Sequence, residues 1–126
     1  MDKIVHFEIP FDDAERAKKF YSDVFAWQIT PYPEMNYNIV RTVEVDDKQM
    51  PKESGAINGG MMKRGEVVKS PVLVINVANI DESIGKIKQS GGKILQDKMN
   101  VGDMGILAYF QDCEGNVLGL WQELKQ

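Results

Sequence analysis

The chain opens on an alternation: Val5, Phe7 and Ile9 fall on one side of an extended segment, and Ile4, His6, Glu8 and Pro10 on the other. Successive strand side chains point to opposite faces, so this pattern predicts a half-buried strand from Lys3 to Pro10. The period then changes. Ala17, Phe20, Tyr21 and Val24 recur at helical spacing with Phe25 adjoining, and Asp12 followed by Glu15 makes a capping-box-like start. These features predict a helix running from Asp13 to Phe25. Its apolar stripe can cover the Val5, Phe7 and Ile9 face, leaving His6 and Glu8 to look into whatever space the sheet encloses.

Three strand-like segments follow, Trp27 to Tyr32, Tyr37 to Val45 and Ala56 to Lys63, separated by Pro33-Glu-Met and by the polar loop Asp46 to Gly55. Gly59 and Gly60 interrupt the last of them, and glycine inside a strand marks a bulge or a close approach of backbone or ligand. After a polar connector from Arg64 to Ser70 the order repeats. Val72 to Val77 reads as a strand that is apolar apart from Asn76. Asn79 to Glu82 offers a helix start, Ile80, Ile84 and Ile87 give the helical stripe, and Gly91-Gly92 stops it. Strands are expected at Lys93 to Gln96, Gly105 to Gln111 and Val117 to Glu123, the last two joined by the turn-forming run Asp112-Cys-Glu-Gly-Asn.

The chain is thus strand, helix and three strands, done twice. The implied fold class is α+β, with two βαβββ modules, about 1–64 and about 71–126, joined by a connector at about 65–70. Neither half has enough apolar residues for its own core, so the two are expected to fold as one domain around a cleft. The whole length of 126 residues, 43% hydrophobic and 27% charged, suits a single domain that needs no metal or disulfide support.

Composition then narrows the setting. The net charge is −4 and the basic residues are scattered among acids, which argues against a nucleic-acid partner. The lone Cys113 cannot form an internal disulfide, no apolar run approaches a membrane span, and His6 and Glu8 break up any export signal. A cytoplasmic protein without membrane contact is expected.

Three stretches resemble the vicinal oxygen chelate superfamily, which includes glyoxalase I, bleomycin-resistance proteins and extradiol dioxygenases. They are Ile4-Val-His-Phe-Glu-Ile-Pro before a helix ending Phe20-Tyr-Ser-Asp-Val-Phe-Ala-Trp27, the Ser90-Gly-Gly92 helix stop, and Asp112-Cys-Glu-Gly-Asn-Val-Leu-Gly-Leu-Trp121. The family patterns are a helix end "FYxxxFGW" and a final hairpin "DPxGNxxxLxQ"; Ala26 and Cys113 replace the usual glycine and proline. The resemblance covers nearly the whole chain and implies a glyoxalase/bleomycin-resistance-like sheet around a cleft. It also implies a homodimer, since two-fold pairing is usual in the family.

Where family members carry a metal, its ligands come from the first and last strands of each module. Placed on this chain, those positions give His6, a strand from Ala56 to Met62 with no Asp, Glu, His or Cys, then Val72 and Gly119. A catalytic metal needs about three converging protein ligands, and His6 with the off-pattern Glu8 supplies two. No metal and no cofactor are expected.

His6 and Glu8 remain the sharpest candidates for ligand binding or acid–base chemistry, since strand positions two apart lie roughly 6.5 to 7 Å from each other. The plainer alternative is a buried histidine satisfied by a neighbour and a glutamate paired with Arg41. Asn76 is expected to line the cleft by pseudo-symmetry, or else to bond an adjacent backbone. Trp121 shares a strand face with Gly119, which can leave room for a ligand stacked on the indole. Met61, beside the Gly59-Gly60 pair, can form an adaptable apolar wall or simply fill a core. Cys113 is expected to be a surface thiol.

The functional expectation is a metal-independent protein that binds a small molecule in a cleft lined by His6, Glu8, Asn76, Trp121 and Met61. Two alternatives stand beside it. One is a lyase, isomerase or dioxygenase of the superfamily with a non-standard metal or with His6 and Glu8 as acid and base. The other is a structural or regulatory dimer module.

Overall fold

The computed structural model describes residues 1–124. They form eight strands and two helices: β1 (Lys3–Phe11), α1 (Ala14–Phe25), β2 (Gln28–Tyr32), β3 (Tyr37–Arg41), β4 (Asn58–Lys63), β5 (Val72–Asn76), α2 (Ile80–Gln89), β6 (Lys93–Val101), β7 (Gly105–Gln111) and β8 (Val117–Glu123). The α+β class and the repeated βαβββ order read from the sequence are both present. No described helix is long and apolar enough to cross a membrane.

The chain divides into two compact units: His6–Pro71, and the residues from Val72 onward together with Met1–Val5. In the first, the strand order is β2-β3-β4-β1, with β1 parallel to β4 and the other pairs antiparallel. The second has the same plan, β6-β7-β8-β5, with β5 parallel to β8. A parallel pair needs a long connection between its strands, and in each unit the helix and the intervening hairpin strands supply it.

Each helix starts on a side-chain cap. Asp13 accepts from the Arg16 amide, one residue later than the expected Asp12, because Asp13 is the residue that keeps extended backbone just before the helical turn. Asn79 accepts from the Glu82 amide, as the sequence implied. Ala26 closes α1 in the left-handed conformation, with its amide on Ser22.

The helices differ in what they bury. Ile80 and Ile84 of α2 are buried against Val77, Ala108, Phe110 and Leu120, with Ile87, Ile94 and Leu118 packed around them. Each such isoleucine contributes about 2 kcal/mol. No residue of α1 is fully buried. Its Tyr21 ring instead stacks on Trp27 at 4.9 Å, and Trp27 in turn meets Phe7, 5.7 Å away.

Two strand limits depart from the sequence reading by four residues or more. β3 stops at Arg41, short of Val45, because the Asn58 side chain takes the amides of Thr42 and Val43 at 2.8 and 3.1 Å. The Thr42 hydroxyl also donates to the Ile57 carbonyl, so the backbone leaves the ladder there. β6 runs on to Val101, beyond the expected Gln96. Two register shifts, between Ile94 and Gln96 and between Gln96 and Met99, carry its polar segment along β7 without burying it.

Candidate functional site

Strand register sets two faces in the first unit. Glu8 lies opposite Gly60, Gly60 opposite Ile39, and Ile39 opposite Thr30. His6, Glu8, Asn58, Gly60, Tyr37, Arg41 and Gln28 therefore share one face. The other carries Phe7, Ile9, Met61, Val40 and Ile29; there Ile9, Phe11 and Met61 line a groove of about 340 Å³ together with Ala17, Phe20 and Tyr21 of α1. The expected division between an α1-covered face and a His6–Glu8 face holds.

On that second face His6 and Glu8 are joined through a residue that sequence reasoning did not single out. The Tyr37 hydroxyl lies 2.7 Å from His6 Nε2 and donates to Glu8 Oε2 at 3.0 Å. A phenol has one proton to give, so with that proton on Glu8 its oxygen accepts from His6, whose hydrogen then sits on Nε2. The result is a directed chain from imidazole through phenol to carboxylate across β1 and β3. Glu8 is only 3% exposed, and a carboxylate that deep needs hydrogen-bond partners to be tolerated. Burial of the His6 ring lowers its pKa from 6.5 to about 4, so the imidazole is neutral at neutral pH.

Gly60 makes the chain possible. A Cβ at this position would overlap the Tyr37 hydroxyl and the ring carbon that bears it. The phenol crosses the sheet over a bare backbone, which is the close approach that a strand glycine signals. The Gly59-Gly60 pair was the one sequence clue to this crossing, but it does not say which side chain approaches.

Other candidates are placed as follows. Met61 is fully buried on the opposite face from His6 and Glu8, so it forms no wall beside them. The guanidinium of Arg41 donates to Gln49 Oε1. With Gln28 it also lines a groove of about 470 Å³ formed with Thr42, Val43, Glu44, Lys52 and Glu53. Asn76 and Trp121 are register partners on one face of the second unit, together with Val74 and Gly119. The space over Gly119 is not open: a Cβ there would lie 3.1 Å from Val74 Cγ2 and 3.5 Å from the Tyr109 ring. It is Gly105 that makes room for Trp121, whose six-membered ring covers it. Cys113 is exposed.

The family's ligand positions meet a donor set that does not fit a metal. On the His6–Glu8 face, β4 offers Asn58, Gly60 and Met62, while Val72 and Gly119 carry no donor atoms. His6 and Glu8 are both bonded to the same phenol. Among the described residues, no three His, Cys, Asp or Glu side chains come together as a metal site.

Comparison with known proteins adds to this picture. Residues 3–42 match the family model described as bleomycin resistance protein-like N-terminal. A glyoxylase-like domain-containing protein of Didymella fabae is 32% identical over 111 residues, spanning 86% of this chain and 84% of that protein. Among solved structures, a methylmalonyl-CoA epimerase variant of Streptomyces coelicolor, in complex with 2-nitronate-propionyl-CoA, matches with a TM-score of 0.68 at 15% identity over 98% of both chains. A glyoxalase/bleomycin resistance protein/dioxygenase superfamily member from Vibrio splendidus 12B01 gives 0.65 at 11% identity, over 98% of this chain and 100% of that one. At these identities the structural matches establish the fold alone.

Proposed function

The chain belongs to the glyoxalase and bleomycin-resistance family of the vicinal oxygen chelate superfamily, and on that premise we propose that it binds a small molecule without a metal, using the His6–Tyr37–Glu8 face. The observation that carries this reading is the hydrogen-bonded chain itself. A histidine, a phenol and a nearly buried carboxylate gathered over a glycine serve no core-packing need, and a polar cluster of this kind fixes a ligand's orientation. Asn76 and Trp121 belong to the same reading as ligand-lining residues. So do a cytoplasmic setting and a homodimer, the latter supported by Phe20, Val24 and Phe25, each more than half exposed on α1.

The test is a thermal-shift screen of EDTA-treated protein against a metabolite library that includes CoA thioesters and bleomycin. The reading expects a hit whose Kd rises at least tenfold in folded Tyr37→Phe and Glu8→Gln proteins. Absence of any hit, or hits only after Zn²⁺, Ni²⁺, Mn²⁺ or Co²⁺ is added, contradicts it.

One observation favours a second reading, in which the site also turns its ligand over. A chain with a neutral imidazole at one end and a carboxylate at the other can hand a proton along, as acid–base catalysis requires. Solvent deuterium entering a carbon-acid ligand, and its loss in Tyr37→Phe, separates turnover from binding.

A further inference from the structure

The second unit holds a polar group that its own fold leaves unused. β5 is apolar except for Asn76, whose Oδ1 is buried without a hydrogen-bond partner among the described residues. An amide carbonyl left unpaired in this way has given up its hydration with nothing in return. Asparagine is also a poor strand former, so neither packing nor propensity accounts for it here.

Its surroundings add a second feature. Asn76 is the register partner of Trp121 across the parallel β5–β8 pair, so the two side chains are neighbours on one face. The indole is only half-buried, and its outer ring lies against Gly105, where a Cβ would collide with it. The backbone beneath is fixed, since the Val77 amide donates to the Trp121 carbonyl at 2.8 Å. An amide oxygen without a partner among the described residues thus lies on the same face as a partly open indole.

We propose that Asn76 and Trp121 form a recognition subsite for a planar group bearing an N–H donor next to an acceptor, the edge offered by a lactam, an amidine or a nucleobase. This rests on the reading of the protein as a small-molecule binder and names the chemical class that the second unit takes. Asn76 accepts the donor through Oδ1 and gives an amide hydrogen to the adjacent acceptor, while the ring lies against Trp121. A turn of the amide about χ2 brings Oδ1 to the ligand.

The experiment is an NMR titration of the full chain with 2-pyridone, which has this edge, and with 1-methyl-2-pyridone, which has the same ring and carbonyl but no N–H. The indole N–H signal of Trp121 reports the site, and that of Trp27 is the reference. The inference expects 2-pyridone to shift the Trp121 signal at millimolar concentration and the methylated ring to bind at least fivefold more weakly. Asn76→Leu should abolish the difference, and Asn76→Asp should retain a preference for the N–H ring. Equal binding of both rings, no shift at Trp121, or a water on Oδ1 that neither ring displaces overturns it. Because His6, Glu8 and Tyr37 are left intact, a hit in the metabolite screen together with a negative pyridone titration rejects the subsite alone.

Discussion

The two units share one topology but put different chemistry on matching faces. In the first, His6 and Glu8 on β1 face Gly60 on β4, and Tyr37 from β3 crosses the glycine to bond both. In the second, the matching β5 positions are Val72 and Val74, each 2% exposed, and Val74 lies opposite Gly119 with the Tyr109 ring nearby. Strand and glycine recur, and a tyrosine ring lies near each glycine, Tyr109 from the position directly opposite Gly119 and Tyr37 from two residues beyond Ile39, the partner of Gly60. The ionisable pair does not recur. What the duplication keeps is a tyrosine ring near a strand glycine; what distinguishes the copies is the parallel partner strand, which carries His6 and Glu8 in one and Val72 and Val74 in the other. The hydrogen-bonded chain is therefore a property of a few side chains on one copy, and the fold alone would not reveal it.

The sharpest way to break the comparison is to fill the two glycines. Gly60→Ala places a methyl where the Tyr37 hydroxyl sits, so the phenol must leave and the nearly buried Glu8 loses a donor. A loss of about 3–4 kcal/mol in urea-unfolding stability is expected, against about 1 kcal/mol for Gly119→Ala, where the new methyl is merely tight against Val74. Similar costs at both positions would mean that Tyr37 is not specially seated.

Next in size is an effect of pH that rests on one side chain of the first unit, His6, the chain's one histidine. Its pKa in the folded protein is about 4, below the ordinary 6.5, so on acidification the unfolded chain takes up a proton before the native one does. The associated stability is fully present above pH 6.5 and is lost as pH falls towards 4, by up to roughly 3 kcal/mol. The difference between wild type and His6→Gln, followed by urea unfolding at pH 7 and at pH 4.5, should shrink or reverse at the lower pH.

Tyr37→Phe tests the hydroxyl without disturbing the ring. It should cost about 1–2 kcal/mol and raise the His6 pKa if the ring gains access to water. Smallest is a control on which the units should agree. Asp13→Ala and Asn79→Ala each remove one helix cap and should each lower stability by about 1 kcal/mol.

How much of this was legible in the sequence follows the range of the interactions. Alternation in β1 put His6 and Glu8 on one face, and the helical stripe put α1 on the other, because both patterns are local. Tyr37 is 29 residues from Glu8 and 31 from His6, and nothing local ties it to them. Met61 was misplaced for a related reason: its face depends on the register in which Glu8 meets Gly60, which the sequence of β4 does not state. The early end of β3 depends on a side chain 16 residues away, Asn58, competing for its amides. Trp121 was expected to share space with Gly119, its neighbour by alternation, yet its indole extends over Gly105, a residue of β7.

The central proposal is that His6 serves a hydrogen-bonded chain and not a metal. Because it is the only histidine, the imidazole ¹⁵N and ¹H signals of the untagged protein report it alone. The account predicts a neutral ring at pH 7 with its hydrogen on Nε2, titrating near 4 and unmoved by stoichiometric Zn²⁺. A ring that titrates near 6.5, or whose signals shift with one equivalent of Zn²⁺, would contradict it.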